Sequence, residues 1–161
     1  MSKLKIYHPN AKGTGSGLSL ELYPAHDKVD GSIFVKLTPQ KTVGAYENGM
    51  RILPTFDHDA ALCVRLGITE LAQILEVLRG YKEKLNDGSG LFHRTKSANV
   101  IITFEHRIEP VPCYTLNITR REPDSGARVI GFNVTMPEAC VLNETIAQAL
   151  LYVAFGVPAA K

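Results

Sequence analysis

Three short constellations in the chain carry residue types that do chemistry. Gly13-Thr-Gly15-Ser-Gly17 has the glycine density of a phosphate-cradling loop. Such a loop works by joining a strand to a helix whose first N–H groups point at the phosphate. Here an alternating run follows instead of a helix, and no Gly-Lys-Ser/Thr succeeds it, so the glycines read as backbone freedom and not as a nucleotide pocket. Asp57-His58-Asp59 holds three potential metal ligands, but neighbours on an extended segment point to opposite faces. A solvated loop ahead of a strand is the better reading, and Glu105-His106 has the same defect. Cys63, Cys113 and Cys140 are odd in number, form no Cys-x-x-Cys pair and match no zinc spacing, which suits core filler in a reducing compartment. No Gly-x-Ser-x-Gly marks a nucleophile, and His8, His26, His58, His93 and His106 are scattered. The expectation is a chain that is not an enzyme, with no catalytic residues, no metal site and no cofactor.

The polar faces of the alternating runs say more. If the apolar set of each run packs inward, the opposite set comprises Ser19, Tyr23, Phe34, Lys36, Thr38, Arg65, Asn99, Thr103, Thr115, Asn117, Thr119, Arg121 and Arg128. Glu21 and Glu105 are the acidic exceptions. A solvated antiparallel face is also polar and Thr-rich, so the pattern alone leaves that bland reading level with a binding one. Charge placement tilts it. Between Gly90 and Arg121 lie Arg94, Lys96, Arg107, Arg120 and Arg121 against only Glu105 and Glu109, while Thr69 to Asp87 carries Glu70, Glu76, Glu83 and Asp87 against Arg79, Lys82 and Lys84. A basic, sparingly aromatic face suits unpaired nucleic acid, because cations track phosphates, amides and hydroxyls meet sugar and base edges, and rings stack on bases. The expected contacts are Lys12, Phe34, Lys36, Arg65, Arg94, Lys96, Asn117, Thr119 and Arg121.

The elements that must position these residues follow from hydrophobic period. Residues 1–17 hold Lys3, Lys5 and Lys12 and no acid, and read as a flexible basic arm. Leu18, Leu20 and Leu22, then Ile33, Val35 and Leu37, then Leu62, Val64 and Leu66 alternate as strands, with a hairpin at Asn48-Gly49. From Thr69, a candidate N-cap, Leu71, Ile74, Leu75 and Leu78 recur at helical spacing up to Gly80. The order then repeats. Val100 to Phe104, Tyr114 to Ile118 and Ile130 to Val134 alternate, and a helix opens at Thr135 with Pro137 in its first turn. Ala139, Leu142, Ile146, Ala149, Leu150 and Val153 form its stripe, with Gly156 and Pro158 as stops. Leu62 to Leu71 and Ile130 to Ala139 share one strand-to-helix joint. Runs of strands closed by helices predict an α+β fold of curved antiparallel sheets packed with two helices. The expected organisation is an arm, 1–17, and one domain, 18–161, of two repeats, about 18–87 and 88–158.

The remaining bounds are broad. The 161 residues are 45% hydrophobic and 21% charged, which excludes disordered and fibrous classes, and the net charge of +2 neither demands nor forbids a polyanionic partner. The amino terminus lacks a signal-peptide core and no apolar stretch approaches the roughly 20 residues of a membrane span, so a cytoplasmic protein with no membrane partner is expected, nucleoid association included.

The run Asn10 to Leu22 leading into Gly31 to Leu37, the joint Val64 to Leu78, the link Leu91-Phe-His-Arg-Thr-Lys-Ser and the closing strand and helix Val129 to Gly156 together resemble the Whirly family of single-stranded DNA-binding proteins. Related architecture occurs in positive-cofactor-four type coactivators and kinetoplast guide-RNA-binding proteins. The resemblance implies two ββββα-like repeats with crossing sheets, and helices packed in the core and between subunits. It also implies tetramers that hold single strands along the sheets. A low-specificity binder of single-stranded DNA in replication, repair, recombination or transcription is then the expectation, with an RNA-binding relative or a protein-interaction module as alternatives. Little polar surface on Ala147 to Phe155 agrees with a homo-oligomer. The chain has no tryptophan, and Asn10 to Gly17 follows the family's Lys-Gly-Lys-Ala element only loosely.

Overall fold

The computed structural model describes residues 3–157. Residues 1–2 and 158–161, and with them the expected stop at Pro158, lie outside the described residues. The chain runs β1 (Lys3–His8), β2 (Ser16–Tyr23), β3 (Ser32–Pro39), β4 (Ala45–Glu47), β5 (Met50–Ile52), β6 (Leu62–Leu66), α1 (Ile68–Leu78), β7 (Leu91–Arg94), β8 (Asn99–Arg107), β9 (Cys113–Glu122), β10 (Gly126–Thr135) and α2 (Met136–Phe155). A 3₁₀ turn, Leu85–Gly88, joins the halves. Sheet one is ordered β1-β2-β3-β6 and sheet two β7-β8-β9-β10, both wholly antiparallel, and β4-β5 stands apart as a hairpin. The fold is α+β, and each four-strand sheet ends directly in a helix.

Period-two patterning decides which face is buried. Leu18, Leu20, Ile33, Val35, Leu37, Leu62, Val64 and Leu66 line the inner face of sheet one. Val100, Ile102, Phe104, Tyr114, Leu116, Ile118, Ile130, Phe132 and Val134 line that of sheet two. Leu71, Ile74, Leu75, Val77 and Leu78 of α1 and Ala139, Leu142, Ile146, Ala149 and Val153 of α2 close the same core. Each fully buried side chain of this size contributes about 1.5 to 3 kcal/mol. Asn48 and Gly49 both take positive φ, 50° and 76°, as their hairpin turn requires.

Cys63 and Cys140 are exposed and Cys113 is half-buried, so the cysteines do not fill the core. Four further expectations are corrected. Residues 3–8 are not an arm: they pair along β2 from Lys3↔Glu21 to His8↔Ser16, because Leu4 and Ile6 alternate with lysines and pack against the core. The first half therefore begins at Lys3 and not at Leu18. The glycines after it supply fit as well as freedom. A Cβ on Gly15 would lie 2.2 Å from the His8 carbonyl oxygen, and one on Gly17 2.4 Å from the Tyr7 ring. Buried Gln40 fastens the β1–β2 turn: its Oε1 accepts from Asn10 N and Gly15 N at 2.8 and 3.1 Å, and its Nε2 donates to the Asn10 and Thr42 carbonyls. Second, α1 is capped at Gly67 and not Thr69, with Glu70 accepting from the Gly67 N–H at 3.0 Å. Third, the link at Leu91 contains strand β7, whose Leu91 is buried opposite Ile102. Fourth, Arg128 pairs with Arg120 two places before inward Ile130, so it has inner-face parity and not the outer position assigned to it.

The joints at α1 and α2 share one device. Glu138 reaches back to the Thr135 N–H at 2.9 Å as Glu70 does to Gly67. Each of these carboxylates also meets a histidine from the first strand of the other half. His8 of β1 reaches Glu138 at 2.7 Å while stacking on Phe132, and His93 of β7 reaches Glu70. Burial opposes ionisation of Glu138, but the Thr135 N–H and His8 outweigh it and hold the carboxyl below its ordinary range. The two halves are thus clasped crosswise. No helix among the described residues is long and apolar enough to cross a membrane.

Candidate nucleic-acid interface

Register sorts the outer face of sheet one into cross-strand rows: Lys3, Glu21, Phe34 and Arg65; Lys5, Ser19, Lys36 and Cys63; Tyr7, Gly17 and Thr38. Apart from Arg65, these residues line an open groove of about 410 Å³ that His58 and Ala61 also border. Phe34 is half-buried in the groove, with the Tyr23 ring packed edge-on against it at 4.8 Å. Lys36 lies between Ser19 and Cys63, and burial pushes the Cys63 thiol up. Arg65 is oriented by its Nε donating to Ser32 Oγ and an Nη donating to the Asp30 carbonyl, both at 2.9 Å.

Sheet two has rows of the same kind. Arg94, Asn99, Arg121 and Ala127 form one, Phe92, Ile101, Thr119 and Val129 the next, then Thr103, Asn117 and Gly131. Arg94, Lys96, Asn99 and Arg121 line one pocket of about 240 Å³ at the β7–β8 turn, which Thr95 shapes by bonding Ala98. Asn117 donates to Thr103 Oγ1 at 3.4 Å, and its Oδ1 lies where a side chain on residue 131 would begin.

The two acidic exceptions are neutralised in place. Lys3 Nζ lies 2.9 Å from Glu21, and this hydrogen bond raises the lysine and lowers the carboxyl. Glu105 lies 3.2 Å from Arg107 and 3.6 Å from Lys84. Lys5, Lys36, Arg65, Arg94, Lys96 and Arg121, by contrast, form no salt bridge among the described residues. Helices α1 and α2 carry Glu70, Glu76, Glu138 and Glu144 and no Lys or Arg. The field therefore runs from positive sheets to negative helices, an arrangement that draws a polyanion to the pleated faces.

Of the expected contacts, Phe34, Lys36 and Arg65 share the face of sheet one, and Arg94, Asn117, Thr119 and Arg121 that of sheet two, with Lys96 at its rim. Lys12 lies apart from both groups, exposed in the β1–β2 turn, where its N–H donates to Asn10 Oδ1 at 3.1 Å. Lys3, Lys5 and Tyr7 join the face of sheet one without standing among the expected contacts, since an arm over 1–17 takes them off the sheet, and exposed Phe92 joins sheet two because a link at Leu91 hides strand β7. The period-two run Lys-Leu-Lys-Ile-Tyr-His was the available signal for the first three. Asp57 builds a turn, accepting from the Asp59 and Ala60 N–H groups at 3.2 Å. Among the described residues no three His, Cys, Asp or Glu side chains converge as metal ligands.

Two four-strand antiparallel sheets, each followed by its own helix, define a Whirly-like fold, and comparison with solved structures agrees. The chain is similar to WHY1 from Arabidopsis thaliana, with a TM-score of 0.64 and 15% identity over 96% of this chain and 94% of that one. It is also similar to a chain in the structure of a guide-RNA-binding protein complex bound to a guide RNA, with a TM-score of 0.58 and 20% identity over 93% and 90%. No family model matches the sequence, and no curated protein matches it.

Proposed function

We propose that this protein binds single-stranded nucleic acid along the outer faces of its two sheets, as a binder and not an enzyme. Single-stranded DNA with low sequence preference is the first reading, in replication, repair, recombination or transcription. The observation that carries it is the contrast between the paired acids, Glu21 and Glu105, and the six cations on the same faces that keep no carboxylate partner. Cations neutralise phosphates, Phe34 and Phe92 stack on bases, and Asn117 and Thr119 bond to sugar and base edges. Fold likeness to a protein from a guide-RNA complex keeps RNA as the second reading. The protein is further read as a cytoplasmic homo-oligomer, a tetramer first, with nucleoid association as the alternative. Exposed Val141, Leu151 and Phe155 on uncharged stretches of α2 support the oligomer.

Fluorescence anisotropy with a labelled thirty-base oligonucleotide tests this reading. If about five cations meet phosphates, log affinity falls with log salt at a slope near −3.5, at roughly −0.7 per contact. Matched DNA and RNA strands separate the two ligands through the 2′-hydroxyl. A salt-independent titration, or equal affinity for duplex, overturns the proposal.

A further inference from the structure

Between the two faces lies a third depression, of about 370 Å³, lined by Asp59, Ala61, Arg120, Glu122, Ser125, Gly126 and Arg128. It shares Ala61 with the groove on sheet one and Glu122 with the Arg94–Lys96–Arg121 pocket on sheet two. It therefore adjoins both binding faces. Its chemistry differs from that of its neighbours. Two guanidiniums stand against two carboxylates, so it gathers no net charge for a phosphate.

The internal pairing is incomplete in an informative way. Arg120 Nε holds Glu122 Oε1 at 2.7 Å, and Ser125 Oγ donates to Glu122 Oε2 at 2.7 Å. Arg128 is steered by one Nη donating to the Ala60 carbonyl at 2.6 Å and to the Ala61 carbonyl at 3.5 Å, which leaves its other Nη and its Nε for a ligand. Asp59 and Arg128 line the same space, yet neither forms a salt bridge among the described residues. An acceptor-only group and a donor-only group thus line one open pocket without pairing with each other.

We propose that this pocket takes one unpaired guanine base, with the Asp59 carboxylate accepting its N1–H and N2–H donors and Arg128 donating to its O6/N7 acceptor pair. Guanine is the base that answers both sides: two adjacent donors match a carboxylate, and O6 with N7 matches an arginine fork. Adenine and cytosine present a single amino donor, and thymine or uracil a lone N–H between two carbonyls. The inference rests on the single-strand reading above and adds one base-reading position to it, the phosphates on either side lying in the two cation-rich grooves.

The test compares a thirty-base oligothymidine with the same strand carrying one central guanine, by anisotropy at fixed salt. The wild-type protein is expected to bind the guanine strand at least about fivefold more tightly, the lower range for one bidentate base contact. Asp59→Asn, which swaps an acceptor for a donor without changing shape, removes that preference while leaving oligothymidine affinity within about twofold. Thermal melting checks that the variant folds. Equal affinity of the wild type for both strands, or a guanine preference that survives in Asp59→Asn, overturns the inference. If neither strand binds the wild type, the single-strand reading itself fails, and this pocket with it.

Discussion

At the scale of single residues, the outer faces separate groups that orient from groups left to bind. Arg65 and Asn117 are positioned by protein partners, Ser32 and Thr103, and present the rest of their donors outward. Phe34 and Phe92 differ in the same sense. Phe34 is braced by Tyr23, whereas Phe92 is 61% exposed with Ile101 and Thr119 beside it in the row. An exposed ring next to cations has little to lose structurally when truncated, so Phe92→Ala isolates its stacking role. It is expected to weaken binding of a thirty-base single strand by about 1 to 3 kcal/mol with an unchanged melting temperature. Unaltered affinity in the anisotropy titration would remove Phe92 from the interface. The basic character of Lys36, Arg65, Arg94 and Arg121 was legible because residue type and strand parity suffice to place them outside. Arg128 was misplaced by the same method, since parity has to be counted from Ile130, and its inward position puts it in the pocket beside Asp59 instead.

At the scale of elements, period carried most of the reading. The strands around Leu20, Val35, Val64, Ile102, Leu116 and Phe132 and both helices lie where alternation and helical spacing put them. β1 and β7 escaped for a physical reason: both are short first strands whose polar residues are lysine, tyrosine, histidine and arginine, which also suit a loop. What makes each a strand is tertiary, pairing to β2 or β8 and a histidine clasped to the opposite helix. The crossed clasp could not be seen in a linear chain, because His8 and Glu138 are 130 residues apart. Helix α2 raises a different question. Its buried stripe satisfies the core, yet Leu151 and Phe155 remain 59% and 84% exposed one turn apart, and Val141 lies further along the helix. Water contact on that apolar strip is costly and a second copy would relieve it. If the proposed homo-oligomer assembles through this strip, Leu151→Glu with Phe155→Glu is expected to shift a larger wild-type species to one of about 17.7 kDa in sedimentation velocity, with the near-ultraviolet spectrum retained. An unshifted sedimentation coefficient would place the assembly contact elsewhere.

At the scale of the whole molecule, two four-strand sheets share one core while turning their outer faces to solvent, and the helices carry Glu70, Glu76, Glu138 and Glu144 with no Lys or Arg. That division lets a protein with a net charge of only +2 present cationic pleated surfaces. The account's central claim is that unpaired polynucleotide lies on those surfaces. Ultraviolet cross-linking of a thirty-base oligothymidine to the protein, with peptides mapped by mass spectrometry, tests it most directly. Adducts are expected on peptides carrying Phe34, Phe92 and Tyr23, with none on α1 or α2. Adducts confined to the helices, with the sheet peptides unmodified, would contradict the claim.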